Sequence, residues 1–97
     1  MENRFDIGVF VDVLTVQKAL AELSARFKKR RKEKKLSQKK IAAQSGVSYA
    51  SVRRFESTGE ISLRSLMELA RALGCLEDFG KLFETPVITD LRDYKND

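Results

Sequence analysis

Residues 37 to 56 read Ser37-Gln38-Lys39-Lys40-Ile41-Ala42-Ala43-Gln44-Ser45-Gly46-Val47-Ser48-Tyr49-Ala50-Ser51-Val52-Arg53-Arg54-Phe55-Glu56, and this stretch decides the fold. Ser37 and Ser48 each stand just before a run with helical apolar spacing, where a hydroxyl accepts a hydrogen bond from a free amide of the first turn. Gly46 falls where the first run must stop, and glycine enters the left-handed backbone region without the steric cost of a Cβ. The pattern predicts two short helices around a tight turn. Ala42 is small enough to let the two backbones approach where they cross. Ile41, Val47, Val52 and Phe55 supply the inward face, with Val52 and Phe55 one turn apart on the second helix. That leaves Tyr49, Ala50, Arg53 and Arg54 outward. Such a face suits a DNA major groove, where a guanidinium bonds guanine O6 and N7 together.

Helix pairs joined by glycine also occur in many small helical proteins, so the flanks carry weight. Arg26 to Lys40 holds ten of the chain's 19 Lys and Arg residues against one acid, Glu33. The segment carries about +9 and the rest about −4, which gives the overall +5. A stripe of this kind neutralises phosphates and releases counterions, giving affinity that depends on salt rather than sequence. Most charge runs are solvated helix faces, but those usually mix signs to gain i,i+4 pairs, and this one barely does. Attachment to a membrane surface would call for a lipidation signal or bulky apolar neighbours, and neither is nearby.

From about Ala25 to Phe83 the chain resembles the helix-turn-helix domains of the Cro and phage-repressor type, also called xenobiotic-response-element-like regulators. The resemblance is carried by the basic start Arg26 to Lys35, Leu36-Ser37-Gln38, Ile41-Ala42, Gly46-Val47-Ser48, Val52, Phe55-Glu56, Gly59, Leu66, Leu69-Ala70 and Leu73-Gly74. It implies an all-α, five-helix lambda-repressor-like fold. It also implies that Gln38 bonds a backbone phosphate and that Tyr49, Ala50, Arg53 and Arg54 read base edges. Arg31 and Glu56 match a structural ion pair that joins the first helix to the recognition helix. Ser37, Ser48, Ser51, Lys28, Lys32, Lys35, Lys39, Ser57 and Thr58 are the expected phosphate contacts. The chain departs from the common pattern in two places. Tyr49 and Ala50 lack the amide that pairs adenine bidentately, and Glu60 follows the recognition helix where phosphates lie close. Glu60 is therefore expected to turn away from them.

The surrounding pattern predicts a compact helical domain over residues 15–84, between an N-terminal flank, 1–14, and a C-terminal tail, 85–97. Val16, Leu20, Leu23 and Phe27 recur at helical spacing after Thr15, so a first helix is expected from 16 to 34. Ser62 caps another, with Leu63, Leu66, Leu69, Ala70 and Leu73 inward and Gly74 as its stop. A short helix follows with Leu76, Phe79, Leu82 and Phe83 as its apolar set, and Pro86 ends the pattern. Ile7, Val9, Val11 and Val13 alternate with Gly8, Phe10 and Asp12, which predicts a short N-terminal β-strand; the alternative is an extension of the first helix. A lone strand needs a partner, here either Pro86 to Thr89 or a second copy of the chain. Val9, Val11, Phe79 and Phe83 are the expected dimer contacts. Asp90 to Asp97 reads as a frayed tail.

Composition narrows the function classes. The chain has 97 residues, 42% of them hydrophobic, enough for one small core. No apolar stretch reaches the roughly 20 residues a bilayer demands, and no signal-like segment begins the chain, so a cytoplasmic, nucleoid-associated protein is expected. With no His and a single cysteine, Cys75, the chain lacks zinc ligands and an internal disulfide; Cys75 reads as a small buried residue. There is no neutral-pH general base, phosphate loop or nucleophile elbow, so neither an enzyme nor a cofactor is expected. The expectation is a homodimeric repressor of double-stranded DNA on a palindromic operator. The resemblance also admits an antitoxin that binds a toxin protein, including a kinase-like one, and represses its own operon.

Overall fold

The computed structural model describes residues 13–87. Four α-helices and a closing 3-10 helix follow one another: α1 (Val16–Glu33), α2 (Gln38–Ser45), α3 (Tyr49–Thr58), α4 (Leu63–Ala72) and the 3-10 helix Leu76–Lys81. Among the described residues there is no strand. The strand expected over residues 7–13 lies outside them except for Val13, which has no regular structure, and the expected contacts Val9 and Val11 and the expected tail also lie outside.

The helix starts follow the hydroxyl pattern of the sequence. Thr15, Ser37, Ser48 and Ser62 each accept a bond from the amide three residues on, at Lys18, Lys40, Ser51 and Ser65, over 3.0 to 3.1 Å. Each such cap stabilises its helix by about 1 kcal/mol. Gly46 and Gly59 end α2 and α3 at φ 79° and 81°. α1 ends differently. Lys35 takes the left-handed turn at φ 59° although it is not glycine. The Lys35 amide donates to Lys32 O and the Leu36 amide to Arg31 O, so the turn closes on two backbone bonds.

α2 packs on α3 and α4, α1 on α3, and the 3-10 helix on α4. Phe55, Ile41, Leu69 and Val52 are the largest fully buried side chains, joined by Phe27, Ala42, Val47, Ala70 and Leu73. Burying each large one contributes roughly 1.5 to 3 kcal/mol. The rings of Phe27 and Phe55 meet edge to face with centroids 5.3 Å apart, which joins α1 to α3 at the centre.

Some apolar residues expected inside are not. Leu63 is 62% exposed, because it opens α4 one turn before Leu66, which is the first α4 leucine to touch the core. Val16 is exposed for a similar reason: Leu20, one turn later, already meets the loop that closes α3. The chain leaves the 3-10 helix at Lys81, so Leu82 and Phe83 project outward, Phe83 in the left-handed region at φ 65°. Cys75 is half-buried rather than buried and lines an apolar groove with Leu23, Phe27, Leu66, Leu73, Phe79 and Leu82.

The two glycines that flank α3 make unequal demands. A Cβ at Gly59 would lie 2.9 Å from Leu20 Cβ and 3.1 Å from Leu20 O, whereas one at Gly46 would meet nothing within 4 Å. Gly46→Ala should therefore cost about 1 kcal/mol for the left-handed backbone alone. Gly59→Ala should cost at least about 2 kcal/mol, because backbone must also move. Urea unfolding of the two variants checks this, and equal losses would remove the close approach of α1 from the account.

Candidate nucleic-acid interface

Arg31 and Glu56 form the polar centre of the domain. The Arg31 guanidinium donates through Nε to Glu56 Oε2 over 2.6 Å and through Nη2 to Oε1 over 3.0 Å. The two side chains are only 8% and 4% exposed. A bidentate arginine pair is the arrangement that offsets the cost of burying two charges. The remaining groups are also satisfied. Arg31 Nη1 donates to Leu36 O over 2.7 Å, and Gln38 Nε2 donates to Glu56 Oε1 over 2.9 Å. The ends of α1 and α2 are thereby joined to the last turn of α3. Burial pushes the Glu56 carboxyl up, but the bonds from Arg31 and Gln38 and the charges of Arg31 and Lys28 outweigh it and hold the group below the ordinary glutamate value.

Fixing Glu56 fixes the rotation of α3, and the opposite face of that helix is then presented to solvent. Tyr49, Ala50, Arg53 and Arg54 are all exposed, while Val52 and Phe55 between them are buried. Lys39 Nζ and Arg53 Cζ lie over the Tyr49 ring at 5.4 and 5.5 Å from its centroid. Two cations drawn to one ring hold their charge close to the surface that α3 offers. Lys28, Gln38, Ala50, Arg53, Arg54, Glu56 and Ser57 line one open, shallow depression, so side chains from three helices meet there.

The expected phosphate contacts divide into groups. Lys28, Lys32, Lys35, Lys39, Ser37 and Ser48 are exposed and Ser51 is half-buried. Lys32 lies with Lys28 and Lys29 along a neighbouring strip of α1. The Ser48 hydroxyl donates to Ser51 Oγ over 2.9 Å. The Ser57 and Thr58 hydroxyls both donate to Arg54 O, over 3.2 and 2.7 Å, so in this state they hold the helix end. Gln38 uses one hydrogen of its amide nitrogen on Glu56, and an amide nitrogen carries a second donor.

Glu60, expected to turn away from phosphates, has a partner within the chain. Its carboxylate pairs with Arg54, Nη2 to Oε1, over 2.7 Å. Two other parts of the arrangement had no direct signal in the sequence reading: the stacking of Lys39 on Tyr49, and the closure of the ion pair by Leu36 O. The first could be sought in the pairing of a basic residue after one serine cap with an aromatic after the next. The second depends on a left-handed lysine that no residue type announces.

The helix-turn-helix family profile matches residues 27–79. The chain therefore belongs to the helix-turn-helix family of the XRE, Cro and phage-repressor type. A comparison with curated proteins gives no match. A domain of this family implies DNA binding in a transcriptional regulator and is typically non-catalytic. Among the described residues no helix is long and apolar enough to cross a membrane.

The buried pair carries a pH signature. A carboxyl whose folded value is lowered adds stability above its unfolded value, and that stability is lost as pH falls through the lowered one. Glu56→Gln should thus be less stable than wild type by about 3 kcal/mol near neutrality, since it leaves Arg31 buried without its counter-charge. The gap should narrow as pH falls through the ordinary glutamate range and the lowered value of Glu56. Urea unfolding across that range tests this; a gap independent of pH would mean that Glu56 titrates no differently folded and unfolded.

Proposed function

We propose that the protein is a sequence-specific repressor of double-stranded DNA that acts as an intracellular homodimer on a palindromic operator. The observation that carries this reading is the outward face of α3. Arg53, Arg54, Tyr49 and Ala50 stand on one exposed surface beside Gln38 and Lys28, on a helix whose rotation is set by a buried ion pair. In this reading Tyr49, Ala50, Arg53 and Arg54 read base edges, and Gln38, Ser37, Ser48, Ser51, Lys28, Lys32, Lys35, Lys39, Ser57 and Thr58 engage the sugar-phosphate backbone.

One such domain spans only a few base pairs, and two recognition helices about 34 Å apart engage successive major grooves. An exposed apolar surface near the C-terminal end of the described residues supports pairing of two copies. Phe83 is 94% exposed, Leu82 projects beside it, and Phe79 lines the neighbouring groove. Val9 and Val11 form the second expected contact. Occupying promoter DNA in this way excludes polymerase, which is the repression step.

Selection of bound duplexes from a random library, at a stated salt concentration, tests the reading as a whole. A palindrome with half-sites about one helical turn apart is expected, and recovery of no shared sequence overturns it. On the selected duplex, Arg53→Ala and Arg54→Ala should each lose about 1 to 3 kcal/mol, with smaller losses on random DNA. Neutralising Lys28, Lys32 or Lys35 should weaken binding to both DNAs and lower the slope of log affinity against log salt by about 0.9 per phosphate contact. An unchanged slope would place those lysines away from the phosphates.

A further inference from the structure

Glu60 is an exposed acid that contacts Arg54 of the proposed base-reading surface, and its position is built rather than incidental. The Thr58 hydroxyl donates to Arg54 O over 2.7 Å and accepts from the Glu60 amide over 3.1 Å. One hydroxyl thus ties the backbone of Arg54 to that of Glu60. Gly59, locked against Leu20 at φ 81°, turns the chain between them. The outcome is the 2.7 Å contact between Arg54 Nη2 and Glu60 Oε1, with the two side chains 68% and 62% exposed.

We propose that Glu60 is a specificity-determining residue of the DNA interface, holding Arg54 in a same-chain ion pair that must break before Arg54 engages DNA. This rests on the reading of Arg54 as a base contact. A guanidinium already paired with a carboxylate must give up that pair before it meets a base edge or a phosphate, either of which can take it bidentately. A guanine offers O6 and N7 in a geometry that takes both forks of the guanidinium, and this replaces what the carboxylate gave. Glu60 also repels any phosphate within a Debye length, on cognate and random DNA alike. An exposed pair of this kind is weak, so the effect is a few-fold one. Its sign is definite: wherever Arg54 engages DNA the pair must break, so Glu60 lowers affinity most for the guanine-bearing site that Arg54 reads.

The test measures four forms of the full chain, namely wild type, Glu60→Gln, Arg54→Ala and the double variant. Each is titrated against the duplex selected from the random library and against a scrambled duplex, over a range of salt. Both positions are exposed, and thermal unfolding checks that all four fold alike. Glu60→Gln should bind scrambled DNA roughly three to ten times more tightly than wild type, with a salt slope steeper by about one phosphate contact. The gain on the selected duplex should be larger, and this excess over scrambled DNA should vanish when Arg54 is absent. If Glu60→Gln strengthens binding equally with and without Arg54, or equally on both DNAs, Glu60 is a general repulsive charge and the inference fails. A different result, equal losses on both DNAs for Arg54→Ala, would instead remove the base-reading role on which it rests.

Discussion

The fold depends on one buried charge pair. Arg31 and Glu56 lie 25 residues apart in sequence and almost fully out of water, and such a pair is tolerated only when every donor and acceptor has a partner. The requirement organises the surrounding chain. Leu36 must bring its carbonyl to Arg31, which the left-handed turn at Lys35 makes possible; Gln38 must open α2 with its amide against Glu56. The helix ends that meet here are the ones that bound the turn before α2 and the last turn of α3. A hydrophobic replacement of the same volume could equal the pair in stability, yet it would not specify which rotation of α3 is correct. Directional bonds do that, and the exposed face of α3 is the result.

The interface separates two physical jobs. In the proposed reading, lysines along α1 and around the first turn supply charge that is insensitive to sequence, while the exposed face of α3 supplies shape and hydrogen-bonding groups. Tyr49 links the two, because Lys39 from α2 and Arg53 from α3 both lie over its ring. The ring keeps two long, flexible cations near one place, which reduces the side-chain freedom they would lose on meeting a ligand. This gives an aromatic residue a use at a surface that would otherwise be better served by an amide.

Much of this was legible in the residues. The four hydroxyl caps, the glycine between α2 and α3, and the inward set Ile41, Val47, Val52 and Phe55 follow from local rules that hold wherever helices begin, turn and pack. The pairing of Arg31 with Glu56 was legible through family resemblance, since nothing local relates residues so far apart. Two kinds of feature were not legible. Val16 and Leu63 fit a helical stripe but sit at helix starts, where no neighbouring element reaches them; periodicity reports a face and not how far a partner extends along it. Arg54 and Glu60 look independent in sequence, and only the turn at Gly59 and the Thr58 hydroxyl bring their charges together.

The contact between Leu20 and Gly59 has a bearing on how readily this domain changes what it reads. α1 touches α3 and its closing loop at three heights, with Leu20 against Gly59, Phe27 against Phe55 and Arg31 against Glu56. The helix acts as a splint. With its axial rotation pinned by a steric stop, a ring contact and a fork of hydrogen bonds, α3 carries interchangeable side chains on a frame that does not adjust to them. Substitution at the exposed positions 49, 50, 53 or 54 therefore alters surface chemistry without altering stance, and on the proposed reading single steps change the preference while the interior stays intact.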